Sequence, residues 1–116
     1  MIVDDTEDVR ELLRLQLTML GCRVVEAANG REALEIASKE SPELILMDLT
    51  MPVLDGIEAT RLIRERAENS GVVIVALTAL GCAESQQRAF AAGCNDYVHK
   101  PLGSEQLLSL LDRHLS

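Results

Sequence analysis

Leu44-Ile45-Leu46-Met47-Asp48 runs four apolar residues straight into a carboxylate. A run without apolar/polar alternation reads as a strand covered on both faces, the habit of a central strand in a parallel sheet. Val72-Val73-Ile74-Val75-Ala76-Leu77, followed by Thr78, reads the same way. Outward from these two, the shorter strand candidates are Ile2 to Asp4, Arg23 to Ala27 and Asp96 to His99. Covering both faces of a sheet requires helices on both sides, and helical patterns fill the intervals at Thr6 to Leu20, Arg31 to Lys39, Ile57 to Arg66, Ala83 to Ala92 and Ser104 to Leu115.

In the first of these helices Val9, Leu12, Leu13, Gln16, Leu17 and Leu20 fall mostly on one stripe, with Thr6 placed as N-cap and Gly21 at the C-terminal end. The last helix shows an apolar face of Leu107, Leu108, Leu110 and Leu111. Strands and helices in strict alternation, joined by right-handed crossovers, predict an α/β fold with an open, doubly wound parallel sheet. The functional site of such a sheet is expected in the short loops at the C-terminal ends of its strands.

Composition narrows the function classes. With 116 residues the chain is read as one domain over 1–116, long enough to bury a core without disulfides or a structural metal. Hydrophobic residues at 47% and charged residues at 26% place it among globular proteins rather than disordered ones. A net charge of −8 with no basic run argues against a nucleic-acid surface on this segment. No apolar run approaches the roughly 20 residues of a membrane span, and no basic-then-apolar leader is present, so a cytoplasmic setting without membrane contact is expected. Cys22, Cys82 and Cys94 show neither CxxC nor zinc spacing and read as small apolar residues in a reduced compartment.

The predicted strand ends deliver a particular set of side chains: Asp4 and Asp5 after the first, Asp48 on the third, Thr78 after the fourth and Lys100 after the fifth. If the first and third strands are neighbours, three carboxylates converge at the crevice between them. At roughly 4 Å and an effective dielectric of about 20, each like-charged pair costs about 4 kcal/mol, so the cluster calls for a proton or a cation. A donor set of oxygens alone favours Mg²⁺ or Mn²⁺ over zinc. Taken singly, each residue has a plainer use: Asp4-Asp5 as a solvated, helix-capping turn, Asp48 or Thr78 as a cap, and Lys100 as a solvated amine. Convergence is what sets them apart.

Val3-Asp4-Asp5, Met47-Asp48-Leu49-Thr50-Met51-Pro52-Val53-Leu54-Asp55-Gly56, Leu77-Thr78-Ala79 and Asp96-Tyr97-Val98-His99-Lys100-Pro101 together resemble the motifs of response-regulator receiver domains. The resemblance covers essentially the whole chain. It implies a flavodoxin-like, five-stranded sheet of order 2-1-3-4-5 with five helices. It implies that Asp48 accepts a phosphoryl group from a phosphohistidine, forming an acyl phosphate. Asp5, Asp48 and the backbone carbonyl of Thr50 would bind Mg²⁺ directly, with Asp4 acting largely through water. Thr78 and Lys100 would hold the phosphoryl oxygens. Tyr97 takes the family's switch-aromatic position, moving as Thr78 moves, and the peptide bond before Pro101 is expected to be cis. Thr50 and Leu80 resemble the positions that tune hydrolysis. The implied partner is a histidine kinase or a histidine-phosphotransfer domain, and the domain assists its own phosphorylation without being an enzyme in its own right.

Other readings fit less well. A haloacid-dehalogenase-type phosphatase would need a second Asp where Thr50 stands, and a flavin-binding module would want more aromatics than Phe90 and Tyr97. His99 and His114 read as solvent-facing and helix-end residues, and Gly56 and Gly93 as permissive loop positions. The abrupt start at Met1-Ile2-Val3 suggests a piece of a longer protein. The motifs around Asp48, Thr78 and Tyr97 look more like receivers of hybrid sensor kinases than of DNA-binding regulators. A hybrid, membrane-anchored parent is thus expected, with a free-standing single-domain regulator as the alternative. Docking of the partner is expected on the first helix, with Leu12 and Leu15 at its exposed edge.

Overall fold

The structure, a computed structural model, describes residues 1–49, 55–66, 71–78, 83–100 and 102–115. The elements follow in the order β1 (Ile2–Val3), α1 (Glu7–Met19), β2 (Glu26–Ala27), α2 (Gly30–Glu40), β3 (Leu44–Asp48), α3 (Gly56–Arg64), β4 (Val73–Thr78), α4 (Ala83–Ala92), β5 (Asp96–His99) and α5 (Ser104–Leu115). All strand pairs are parallel, and the sheet runs β2-β1-β3-β4-β5. This is the doubly wound order expected from the sequence.

Side-chain alternation along each strand divides the core in two. Ile2, Leu44, Leu46, Val75 and Leu77 point to the face where Leu13 and Leu17 of α1 and Leu107 and Leu110 of α5 pack. Val3, Ile45, Met47, Ile74 and Ala76 point the other way, onto Ala33 and Ala37 of α2, Ala59 and Ile63 of α3 and Ala89 of α4. The uninterrupted apolar runs of β3 and β4 follow directly: each serves two cores at once. Small alanines on the second face let three helices approach the strands closely.

Several boundaries differ from the sequence expectation, each for a local reason. β2 is confined to Glu26–Ala27 rather than Arg23 to Ala27, because the register Ile2↔Glu26 leaves no residue of β1 opposite Arg23 or Val24. β4 gains Thr78, which pairs with His99, and starts one residue later than expected. β1 stops at Val3, since the Asp4 side chain turns the backbone: its Oδ1 accepts from the Thr6 N–H at 2.9 Å. Thr6 does stand at the N-cap position of α1, but its own side chain makes no capping bond. At α2 the cap is of the ordinary kind, Asn29 accepting from the Glu32 N–H at 2.9 Å while the Glu32 carboxylate accepts from the Ala28 N–H. α2 and α3 each begin one residue earlier than expected, and α3 ends at Arg64.

Candidate functional site

Strand register determines which side chains meet. Val3 pairs with Met47, so the next residues, Asp4 and Asp48, lie side by side at the C-terminal edge of the sheet. Thr78 pairs with His99, and the Lys100 N–H donates to the Thr78 carbonyl at 2.8 Å, which places Lys100 on the same edge. Carboxylate oxygens of Asp4, Asp5 and Asp48 all lie within 4.8 Å of one another. Asp4 and Asp48 are buried and Asp5 is exposed. The group is therefore an acidic pocket with one open side.

Among the described residues, Lys100 brings a cation onto this cluster. Its Nζ donates to Asp4 Oδ2 at 2.8 Å and lies 3.2 Å from Asp48 Oδ1. Burial pulls the ammonium's pKa down, but the hydrogen bond to Asp4 and the charge of Asp48 outweigh it, and the net direction is upward. Asp4 is held on every side. Its N–H donates to the Ala27 carbonyl at 3.2 Å, its Oδ1 accepts from Thr6, its Oδ2 accepts from Lys100, and its own carbonyl accepts from Arg10 Nη1 at 2.7 Å.

Asp48 is fixed by packing as well as by charge. Its backbone carbonyl lies 2.0 Å from where a Cβ on Gly56 would stand, so the chain entering α3 runs directly over the end of β3. Gly56 is needed for close approach and has no positive φ, which corrects its reading as a merely permissive loop position. Gly93, with φ +118°, does fit that reading. Thr78 is buried at the adjacent strand end. Tyr97 packs against the core on the α2/α3/α4 side, and its hydroxyl is buried without a hydrogen-bond partner among the described residues.

Of the site residues expected from the sequence, Asp4, Asp5, Asp48 and Lys100 come together and Thr78 borders them. Tyr97 lies on the same strand as the approach to Lys100, on β5. Thr50, Leu80, Cys82 and Pro101, with their expected metal-ligating, tuning, filler and cis-peptide roles, lie outside the described residues. Leu12 and Leu15 are each 54% exposed, as their expected place on the outer edge of α1 requires. His99 is exposed, its ring edge-on to that of Tyr97 at 6.1 Å. His114 is more than a plain helix-end residue: its Nε2 lies 3.1 Å from Asp96 Oδ2, which Arg113 also binds at 2.6 Å.

Sequence reasoning missed Arg10. The only signal for it was position, a cationic side chain on the first turns of the helix that follows the acidic pair. The donor set is suited to a hard divalent ion, since three carboxylates offer oxygens within bridging reach and, among the described residues, no sulfur or imidazole joins the group.

The family model of the response regulator receiver domain matches residues 1–112. A 14.6 kDa protein from the sodA1 3′ region of Leptolyngbya boryana is 37% identical over 114 residues, covering 98% of this chain and 87% of that one. The "Probable transcriptional regulator ycf27" of Guillardia theta is 38% identical over 107 residues, covering 92% of this chain and 41% of its own length, so the chain spans less than half of that relative. Among solved structures, chemotaxis protein CheY4 of Vibrio cholerae superposes with a TM-score of 0.94 at 34% identity, covering 98% of this chain and 95% of that one. The receiver domain of sensor histidine kinase PA1611 from Pseudomonas aeruginosa PAO1, with a magnesium ion coordinated in its active-site cleft, superposes with a TM-score of 0.90 at 36% identity, covering 97% and 93%.

Proposed function

The chain belongs to the response regulator receiver domain family, and from that premise we propose that it is a Mg²⁺-dependent phosphoacceptor in which Asp48 is the phosphorylated residue. One observation carries the reading: Asp48 is a buried carboxylate at a strand end, shared between an acidic pair and the Lys100 ammonium. In the transfer, an Asp48 carboxylate oxygen forms the new bond to phosphorus while the phosphorus–nitrogen bond of a phosphohistidine breaks. Asp5 and Asp48 would hold Mg²⁺ directly, with Asp4 acting largely through water; the Thr50 carbonyl, expected to join them, lies outside the described residues. When bound, the ion offsets the carboxylate charge and shares the charge on the phosphoryl oxygens. Lys100 then exchanges a carboxylate partner for a phosphoryl oxygen, and the Thr78 hydroxyl takes another.

Thr78 and Tyr97 form the switch in this reading. Tyr97's hydroxyl, buried and without a hydrogen-bond partner among the described residues, supports a ring held inward by packing and so able to answer a shift at Thr78. The donor is a histidine kinase or a histidine-phosphotransfer domain, docking over the exposed Leu12 and Leu15 of α1.

The parent protein is proposed to be a hybrid sensor kinase. The sequence motifs favour it, and one structural neighbour, the PA1611 receiver domain, belongs to a sensor histidine kinase. A second reading, a free-standing single-domain regulator, has on its side the chemotaxis protein CheY4, 95% of whose chain this one covers. The sequence of the parent gene decides between them. The phosphoacceptor reading itself is tested by incubation with acetyl phosphate and Mg²⁺ followed by Phos-tag electrophoresis. A retarded, acid-labile band is expected for the wild type, absent in Asp48→Asn and absent after chelation. Undiminished labelling of Asp48→Asn would overturn the assignment.

A further inference from the structure

Asp5 is the exposed member of the acidic cluster, and among the described residues its carboxylate has no hydrogen-bond or ion-pair partner. Its direction is therefore set by its backbone, beginning with the peptide that joins Asp4 to Asp5. Two atoms orient that peptide plane, the Asp4 carbonyl oxygen and the Asp5 nitrogen. The carbonyl accepts from Arg10 Nη1 at 2.7 Å.

Arg10 is itself anchored at two points besides this bond. Its N–H donates to the Thr6 carbonyl at 3.1 Å, on the first turn of α1. Its Nε lies 3.4 Å from Glu26 Oε1 on β2, and its side chain is only 17% exposed. A planar guanidinium with two of its edges engaged has little freedom to wander. Lys100 grips the Asp4 carboxylate while Arg10 grips the Asp4 carbonyl, so the residue is held from opposite sides. Glu26 also binds Arg14 Nη1 at 2.8 Å, but Arg14 makes no bond to Asp4.

We infer that Arg10, braced by Glu26, is a positioning residue that holds the Asp4–Asp5 peptide so that the Asp5 carboxylate stays in register with Asp48 for a divalent cation. This rests on the cation-site reading above. Outer-shell partners of this kind typically change metal affinity on the order of 10- to 100-fold when removed.

The inference makes a sign prediction that simple electrostatics reverses. A cation beside a cation site weakens binding by repulsion, so if Arg10 acted only as a local charge, removing it would tighten Mg²⁺ binding. If it positions Asp5, removing it loosens binding.

Calorimetric titration of the chain with Mg²⁺ tests this, with circular dichroism to verify folding of each variant. Arg10→Gln is expected to weaken Mg²⁺ binding by about tenfold or more. Arg10→Lys, which keeps the charge but loses the two-edged grip, should fall between it and the wild type, and Glu26→Gln should weaken binding in the same direction. Arg14→Gln removes the same charge from the same helix and the same acidic partner, and should leave affinity unchanged or slightly raised. Should Arg10→Gln fail to fold, Arg10→Lys and Glu26→Gln carry the test. Unchanged or tighter binding in Arg10→Gln, or an equal loss in Arg14→Gln, overturns the positioning role while leaving the cation site standing. A wild type that does not bind Mg²⁺ removes the site reading and this inference with it.

Discussion

Lys100→Met removes an ammonium that bridges two buried carboxylates while keeping the aliphatic stem. In the wild type its Nζ lies 2.8 Å from Asp4 and 3.2 Å from Asp48, whose side chains are 1% and 6% exposed. At an effective dielectric of about 20, each contact near 3 Å is worth about 5 kcal/mol before desolvation is subtracted. The carboxylates themselves, within 4.8 Å of each other, repel by about 3 kcal/mol or more at the same dielectric. Breaking a buried pair by deleting one partner costs about 3–5 kcal/mol, and the 22% exposure of Lys100 reduces that through screening. The expected loss is about 2–4 kcal/mol, a fall in Tm of roughly 10 °C for a domain of this size. Urea unfolding at neutral pH, with and without Mg²⁺, measures it. Saturating Mg²⁺ should narrow the gap, because a divalent ion supplies charge to the same oxygens and stabilises the folded form by mass action. Since the ammonium pKa is raised on folding, its contribution is full below about pH 10.5 and is lost as pH rises through the higher folded value. On the alkaline side the wild-type advantage should therefore last until strong alkali. Lys100→Met as stable as the wild type at pH 7 without Mg²⁺ would refute the reasoning.

Gly56→Ala places a methyl group 2.0 Å from the Asp48 carbonyl oxygen, and should cost about 1–3 kcal/mol in urea unfolding and shift the Leu49 amide in NMR spectra. Tyr97→Phe deletes a buried hydroxyl that has no partner among the described residues, so stability should hold or rise by about 1 kcal/mol, and a clear loss in thermal melting would show that the hydroxyl is bonded after all. For Asp96, burial pushes the carboxyl up, but the bonds from His114, Tyr97 and Arg113 outweigh it and leave the pKa below its ordinary value. Its stabilisation is then present above about pH 3.8 and lost as pH falls through the lower folded value, so the deficit of Asp96→Asn should be plain at pH 7 and vanish on acidification, as followed by circular dichroism.

The two central strands were legible because burial on both faces leaves an unmistakable mark, an apolar run with nothing polar in it. β3, α4, β5 and α5 have the bounds expected from the sequence. The edge strand was overextended, since Arg23, Val24 and Val25 have strand-like composition but pairing depends on what lies opposite. Asp4, Asp48 and Lys100 were legible as strand-end residues, and register did the rest. What could not be read was the second contact of each group. Lys100 was expected on phosphoryl oxygens, and its bonds to Asp4 and Asp48 were not foreseen beside that role. Gly56 was given a backbone role, whereas its neighbour 8 positions back decides it. Arg10 and His114 carry no motif, and their partners, Asp4, Glu26 and Asp96, are set by tertiary packing alone.

The bond between Lys100 and Asp4 joins residues 96 positions apart, nearly the two ends of the described chain. During synthesis the first strand and both buried acids leave the ribosome well before their counter-charge does, and a chain grows at roughly 5–20 residues per second. For those seconds the acidic edge is a liability, repelling its own closure. Its arrival as a working pocket is a long-range event that local structure cannot anticipate, so the site is among the last parts of the molecule to exist. A nascent or truncated chain that ends before β5 would have the acids without the Lys100 ammonium. Completion of the chain is in this sense the first switch the domain passes through.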